Sequence, residues 1–397
     1  MYRAGQEEID EVSKVILSKR WSRTGTSVAG HQQEVEQFER EWAEMIGTKY
    51  ALLMAGGGTA ALVCAMAGLG IGPGDEVIVP AYTWMATATA VLTVGAIPVL
   101  AEVDETLALD PADFERKITP NVKAVIPVHM MGRPANLEAI IRIAKAHGIK
   151  VIEDSCQMVG GTYHGKRTGS WGDAGAFSFN YFKIISAGGE GGALVTNDRR
   201  IYERAFIYHD SGSAFRSIAG ELSEPIFVAQ QYRSDEVMGA IIRVQRQRLD
   251  GILADLRRIR RQIEQATNGV HGLRVTANND SDGDCGVAVS YQFDSEAQVR
   301  KFKDLVQAGY VLIDHKKHVF VDWEPLRKKR VMHHPAMNPF NFPQNRGLRM
   351  DYSDSCCPRT LEVLRRTIFI GLNPDLTAAQ VDDLIQRIRS AAEQIAV

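Results

Sequence analysis

The chain reads as an α/β protein: a large domain built on a central, mainly parallel sheet, followed by a smaller C-terminal α+β domain. Two observations predict this. Between about residue 50 and residue 200, apolar runs of strand length alternate with helix-forming segments, and the runs are apolar on both faces. Strands covered by helices on each side must have that character. After Asp250 the texture changes to a charged helical run, a meander of short strands with Gly, Asp and Asn turns, and a closing helix. The division this implies is 1–250 and 251–397.

The elements follow in order. Ile9, Val12, Val15 and Ile16 lie at helical spacing within 7–20, and Val35, Phe38, Trp42 and Ile46 share one face of a second helix that begins near Gln32. Residues 51–54 form a strand that ends in three glycines, and 59–67 are rich in helix formers. Strands are predicted at 76–79, 97–103, 124–128 and 150–153, with helices at 84–94 and 137–146 between them. Two more strands fall at 174–179 and 192–196. The run LADLRRIRRQIEQA predicts a charged helix, and 378–395 the closing one.

Composition narrows the function. With 45% hydrophobic and 24% charged residues the chain has an ordinary globular balance, and its net charge of −2 offers no broad basic face for nucleic acid or an anionic membrane. The cluster Arg327–Arg330 reads as a solvated face. No apolar run approaches the ~18 residues of a membrane span, and the acidic N-terminus lacks a signal-peptide core. Five scattered cysteines are an odd number and no disulfide framework, so a reducing cytoplasm is expected. No Cys/His spacing suggests a metal.

Three motifs carry chemistry. In the first, Ala55 to Leu62, a strand meets a glycine turn and a helix opening with Thr59. Free backbone N–H groups and the positive helix end converge there on one anion-sized spot. The stretch Gly68–Gly74 is no dinucleotide fingerprint, because it precedes a strand and puts Pro73 at the third-glycine position. In the second motif, Asp154 sits at the tip of a buried strand, where a carboxylate is costly unless something positive meets it. A protonated pyridine nitrogen is such a partner; a cap for the next helix is the structural alternative. In the third, Lys183 follows an aromatic turn and precedes the glycines 188–192. Desolvation among apolar neighbours favours the neutral amine that Schiff-base formation requires, whereas an isolated lysine more commonly snorkels to solvent. In combination, a phosphate cradle, an acid and a lysine are what a pyridoxal 5'-phosphate (PLP) enzyme needs.

With these motifs the sequence resembles the DegT/StrS family of PLP-dependent sugar aminotransferases. The likeness runs from the first helix to Leu372–Thr377. It rests on the G-T-A-A-L turn, Pro80-Ala81-Tyr82-Thr83-Trp84, Glu153-Asp154 with Gln157, the Phe-Ser-Phe strand and Gly189-Glu190-Gly191-Gly192. The resemblance implies the fold-type I, aspartate-aminotransferase-like architecture and a homodimer with active sites at the subunit interface. It further implies that Lys183 is the Schiff-base lysine and moves the proton, that Asp154 pairs with the ring nitrogen, that Gln157 lies near the ring hydroxyl and that Trp84 stacks on the ring. Gly57, Gly58, Thr59 and Ser178 would hold the phosphate.

Two positions depart from the family pattern. Gly57 stands where Ser is frequent, and Gln231 where an Asn reaches the neighbouring subunit's phosphate. Asn180, Tyr181 and Phe182 are also unusual before the lysine. The donor implied is L-glutamate, leaving 2-oxoglutarate, and the acceptor a keto- or aldehydo-sugar of bacterial glycan synthesis. An 8-oxo-3,8-dideoxy-octulosonate is one candidate, its carboxylate met by Arg233, His315, Lys316 or Lys317. The alternatives on the same frame are a sugar dehydratase or epimerase and a non-catalytic regulator. Some relatives that dehydrate sugars carry histidine in place of the lysine, so Lys183 disfavours that branch.

Overall fold

The computed structural model describes residues 3–24, 28–212 and 222–395. Helices α1 (Gln6–Ser18) and α2 (Glu34–Ile46) precede β1 (Tyr50–Met54). Then α3 (Gly57–Leu69), β2 (Glu76–Pro80), α4 (Ala86–Thr93), β3 (Ile97–Ala101), α5 (Pro111–Arg116), β4 (Val122–Val125), α6 (Leu137–Ala146) and β5 (Lys150–Asp154) follow. A short hairpin, β6 (Thr162–Tyr163) and β7 (Lys166–Arg167), leads to β8 (Ala174–Ser178), β9 (Gly192–Thr196) and α7 (Arg199–His209). Beyond α8 (Glu236–Thr267) come β10 (Arg274–Val275), β11 (Ala288–Gln292), α9 (Glu296–Val306), β12 (Tyr310–Val311), α10 (Glu324–Arg327), α11 (Pro358–Arg365), β13 (Thr367–Gly371) and α12 (Ala378–Ile395).

Most of the expected elements are present, and the differences have local causes. Trp84 stands ahead of α4 rather than inside it. Helices α5 and α7 are additional to the predicted ones, and each has an aspartate cap: Asp110 accepts from Ala112 N–H with Pro111 next to it, and Asp198 accepts from Arg200 and Ile201 N–H. The charged run is only the C-terminal half of α8, which extends unbroken through residue 250. The change of architecture therefore comes after Thr267.

The large sheet runs β1-β9-β8-β5-β4-β2-β3. Only β9 opposes its neighbours; the pairs β8–β5, β5–β4, β4–β2 and β2–β3 are parallel. This topology gathers the chemistry at one edge. The carboxyl ends of β1, β2, β5 and β8 point the same way, and reversed β9 begins where they end, with Gly192 opposite both Met54 and Ser178. Ligands of open α/β sheets collect beyond such an edge. Helix α3 is apolar all round and buried on nearly every side, so it lies within the core with only its N-terminus at that edge.

The C-terminal part has its own antiparallel sheet, β10-β11-β13-β12. The loop after β12 turns back to the large sheet: Tyr82 bridges Val319, Thr83 N–H donates to the His318 carbonyl at 3.0 Å, and Phe320 N–H to that of Ala81 at 3.2 Å. Among the described residues no helix is long and apolar enough to cross a membrane, and no cluster of His, Cys, Asp and Glu could hold a metal ion.

Candidate active site

The floor of the site is the tip of β5. Glu153 and Asp154 are adjacent, so their side chains point to opposite sides of the sheet. Glu153 is fully buried and structural: it accepts N–H bonds from Gly169 (2.7 Å), Trp171 (2.6 Å) and Gly172 (2.8 Å). It also takes one from His129 Nε2 at 3.2 Å, whose Nδ1 accepts from Ala135 N–H at 3.1 Å. The latter bond assigns the proton to Nε2.

Asp154 faces the ligand side and is itself buried. Its Oδ2 accepts from Thr87 Oγ1 at 2.8 Å and its Oδ1 from Cys156 N–H at 3.1 Å. Thr83 Oγ1 lies 2.8 Å from Thr87 Oγ1. The Thr87 proton is already given to the carboxylate, so Thr83 is the donor in that pair. A relay of two buried threonines thus aims the acid, and the carboxylate keeps acceptor capacity for a further donor.

The phosphate-sized cradle stands beside it. Gly56 caps α3 with no side-chain hydrogen bond, and Thr59 is exposed in the first turn. The first-turn N–H groups are thereby free for an anion. A Cβ on Gly58 would stand 2.4 Å from Cys156 Sγ and 3.1 Å from Ser178 Cβ, so only glycine lets the helix end seat between β5 and β8. At Gly192 the same construction meets the Gly57 carbonyl at 2.4 Å. Burial and then Asp154 push the Cys156 thiol well up, so it stays protonated.

Lys183 is half-buried at the end of the aromatic turn, and its charge bears on both the Cys156 thiol and the His318 imidazole. Burial, reinforced by His315, Lys183 and Lys317, pushes His318 down to about 3, so it is neutral at neutral pH. His318 Nδ1 lies 2.6 Å from His315 Nδ1. Trp84 is 45% exposed, meets the His318 ring edge-on at 5.7 Å and has Lys317 Nζ 5.6 Å from its ring centre. Gln157 Oε1 accepts from Met131 N–H at 3.1 Å, and among the described residues its amide nitrogen has no partner.

The fold therefore brings Gly57, Gly58, Thr59, Trp84, Asp154, Gln157, Ser178 and Lys183 to one edge. Gln231 is different. It is exposed on the segment that packs Tyr232 against Gly56, and among the described residues its side chain makes no hydrogen bond to its own chain's cradle. Arg233, expected to be open to a substrate carboxylate, is engaged instead by Asp210 at 2.6 Å. Sequence reasoning missed Thr83, Thr87, Cys156 and His318. The first three adjoin motif residues and were within reach, whereas His318 arrives from a distant loop with no local signal.

The residue set fits PLP: an uncapped helix end for the phosphate, a buried acid with spare acceptor capacity for the ring nitrogen, and a lysine nearby. The DegT/DnrJ/EryC1/StrS aminotransferase family model matches residues 3–389. The chain belongs to that family. The family is PLP-dependent, and PLP is the cofactor.

This family member is 30% identical over 399 residues to the spore coat polysaccharide biosynthesis protein SpsC of Bacillus subtilis, spanning 97% of this chain and 94% of SpsC. It is 39% identical over 249 residues to the GDP-perosamine synthase of Caulobacter vibrioides; that stretch is 61% of this chain and 64% of that protein's length. Among solved structures, the aminotransferase from Psychrobacter cryohalolentis has a TM-score of 0.80 at 26% identity, covering 100% of this chain and 99% of its own. DesV from S. venezuelae, solved with a ketimine intermediate, has a TM-score of 0.74 at 27% identity, covering 98% and 94%.

Proposed function

We propose that the protein moves an amino group from an amino acid, L-glutamate, to the carbonyl of an anionic sugar in bacterial glycan biosynthesis, in a reducing cytoplasm. The observation that carries this is the convergence of Lys183, Asp154 and the uncapped α3 N-terminus at one sheet edge. PLP, when bound, supplies an electron sink for the carbanion at the donor's α-carbon. The chain's own residues do the rest. The α3 N–H groups, Thr59 and Ser178 bind the phosphate, and Asp154, aimed by Thr87 and Thr83, holds the proton on the ring nitrogen. Trp84 covers the ring and Gln157 binds its hydroxyl. Lys183 would take the donor's α-proton at Nζ and hold it for redelivery. Sugar amination is the reverse path, with 2-oxoglutarate already released.

Lys317 supplies the acceptor preference. Its ammonium stands over Trp84 and among the described residues has no carboxylate partner, so an anionic group on the acceptor is its natural counter-charge. The carboxylate of an 8-oxo-3,8-dideoxy-octulosonate and the diphosphate of a nucleotide-linked keto-sugar both satisfy it. The relatives' names, GDP-perosamine synthase and dTDP-3-amino-3,6-dideoxy-alpha-D-galactopyranose transaminase, favour the second. We also place the enzyme as a homodimer in which the partner's cradle receives Gln231. Val228, 92% exposed on the same segment, supports a covered surface there.

Borohydride reduction with mass spectrometry should place the PLP adduct on Lys183, and Lys183→Ala should lose it. Pyridoxamine-form protein offered octulosonate, nucleotide-linked and cyclitol carbonyls should aminate an anionic one. An unmodified Lys183 in wild-type protein would refute the catalytic reading. Preference for the uncharged cyclitol would refute only the role of Lys317.

A further inference from the structure

Apolar burial anchors the turn that presents Lys183 at its two ends, at Phe179 before it and at Ile184 and Ile185 after it. Between those ends Tyr181 is 54% and Phe182 87% exposed. There, polar bonds converge on Asn180. The Asn180 carbonyl accepts from Lys183 N–H at 2.9 Å, and its side-chain Oδ1 accepts from Phe182 N–H at 3.0 Å. The remaining side-chain group, Nδ2, donates to Glu190 Oε1 at 2.9 Å. Glu190 belongs to the strap of glycines that runs back past the turn, with Tyr181 N–H on the Gly189 carbonyl at 2.9 Å and Phe179 N–H on that of Gly191 at 2.7 Å. The other oxygen of Glu190 comes within 3.7 Å of where a side chain on Gly57 would begin.

We propose that the Asn180–Glu190 pair is the positioning device for Lys183, locking the lysine turn to the glycine strap and through it to the phosphate cradle. The inference rests on the catalytic reading above, since it concerns where that amine stands. Only an amide meets both demands at position 180. Aspartate keeps the bond from Phe182 N–H but cannot donate to Glu190 and sets a second negative charge against it; alanine loses both bonds. The demand can, however, be met in reverse. Aspartate at 180 facing glutamine at 190 keeps the acceptor for Phe182 and restores a hydrogen bond across the pair, at the net charge of the wild type.

The test uses holoenzyme of wild type, Asn180→Asp and the double variant Asn180→Asp/Glu190→Gln. The visible band of the lysine-bound cofactor is titrated with pH in the absence of substrate. Hydrogen–deuterium exchange is also followed over residues 179–191 in cofactor-free protein. Asn180→Asp should move the titration midpoint by about half a pH unit or more, a difference in the stabilisation of the two protonation states. It should also speed exchange across the turn. The first half-reaction with L-glutamate should slow by about tenfold to a hundredfold, the effect of a small misplacement of a reacting group. The double variant should recover all three.

A single variant that matches wild type in band position and exchange, or a double variant no better than the single one, overturns the proposal. Should wild-type protein carry no adduct at Lys183, the catalytic reading falls instead, and the exchange measurement still tests the lock.

Discussion

The floor and the rim of the site are built on opposite principles. On the floor, Glu153, Asp154, Thr83 and Thr87 are buried, and Gly58 and Gly192 let backbone approach where no side chain fits. At the rim, the Lys183 turn has two exposed aromatic residues on its leading side and hangs on polar bonds at Asn180, while Lys317 stands in solvent over Trp84. The floor holds its geometry by packing and by buried hydrogen bonds, which resist displacement. The rim presents its functional groups to substrate on a few polar bonds. Both ways of holding a group serve the positioning that the chemistry requires.

Substitutions should separate the two. The largest effect is expected at Glu153→Ala, which leaves three backbone N–H groups and His129 without their acceptor. We expect a loss of more than about 3 kcal/mol by urea denaturation; a loss under about 1 kcal/mol would remove Glu153 from the floor. Gly58→Ala comes next, at about 1–3 kcal/mol for overpacking against Cys156. It should be partly relieved by adding Cys156→Ala, which removes the sulfur it strikes. Independent, additive effects in that double-mutant cycle would contradict the close contact.

Acid is the third probe. Burial pushes both His209 and His318 down to about 3, below the ordinary histidine value. Between that value and about 6.5 the unfolded chain binds more protons at these two positions than the folded one. Their contribution is therefore favourable above the upper limit and is lost as pH falls through the window. The slope is at most about 1.4 kcal/mol per pH unit for each histidine. Denaturation midpoints measured across this range should fall on acidification, and less steeply in His318→Gln. The smallest expected effect on folding is Thr87→Val, about 1–2 kcal/mol for its two hydrogen bonds, to Asp154 and from Thr83. Its larger consequence should be weaker PLP retention, read by equilibrium dialysis. Unchanged retention would mean that Asp154 is aimed by something else.

Legibility in the sequence follows the same division. Strand β5 announces itself as an apolar run ending in two carboxylates, and the cradle as glycines between a strand and a helix that opens with threonine. Such signals are local, so the floor could be read. What could not be read depends on partners far apart along the chain. Nothing near His318 tells that its loop folds back on Tyr82, and nothing near Asn180 tells that Glu190 will face it. The same limit hid the reach of α8, whose first half carries less obvious charge periodicity than the run after Asp250.

That helix has a mechanical consequence. At 32 residues, α8 is a rod about 48 Å long. It packs on α1 and α2 near one end and on α12 near the other. A bend between the sheet that holds the cofactor and the sheet that sends His318 back to it cannot hinge at 250 without snapping the rod. Any breathing of the enzyme must pivot about a stiff beam, and severing the gene at that codon would yield two fragments, each missing half of its spine.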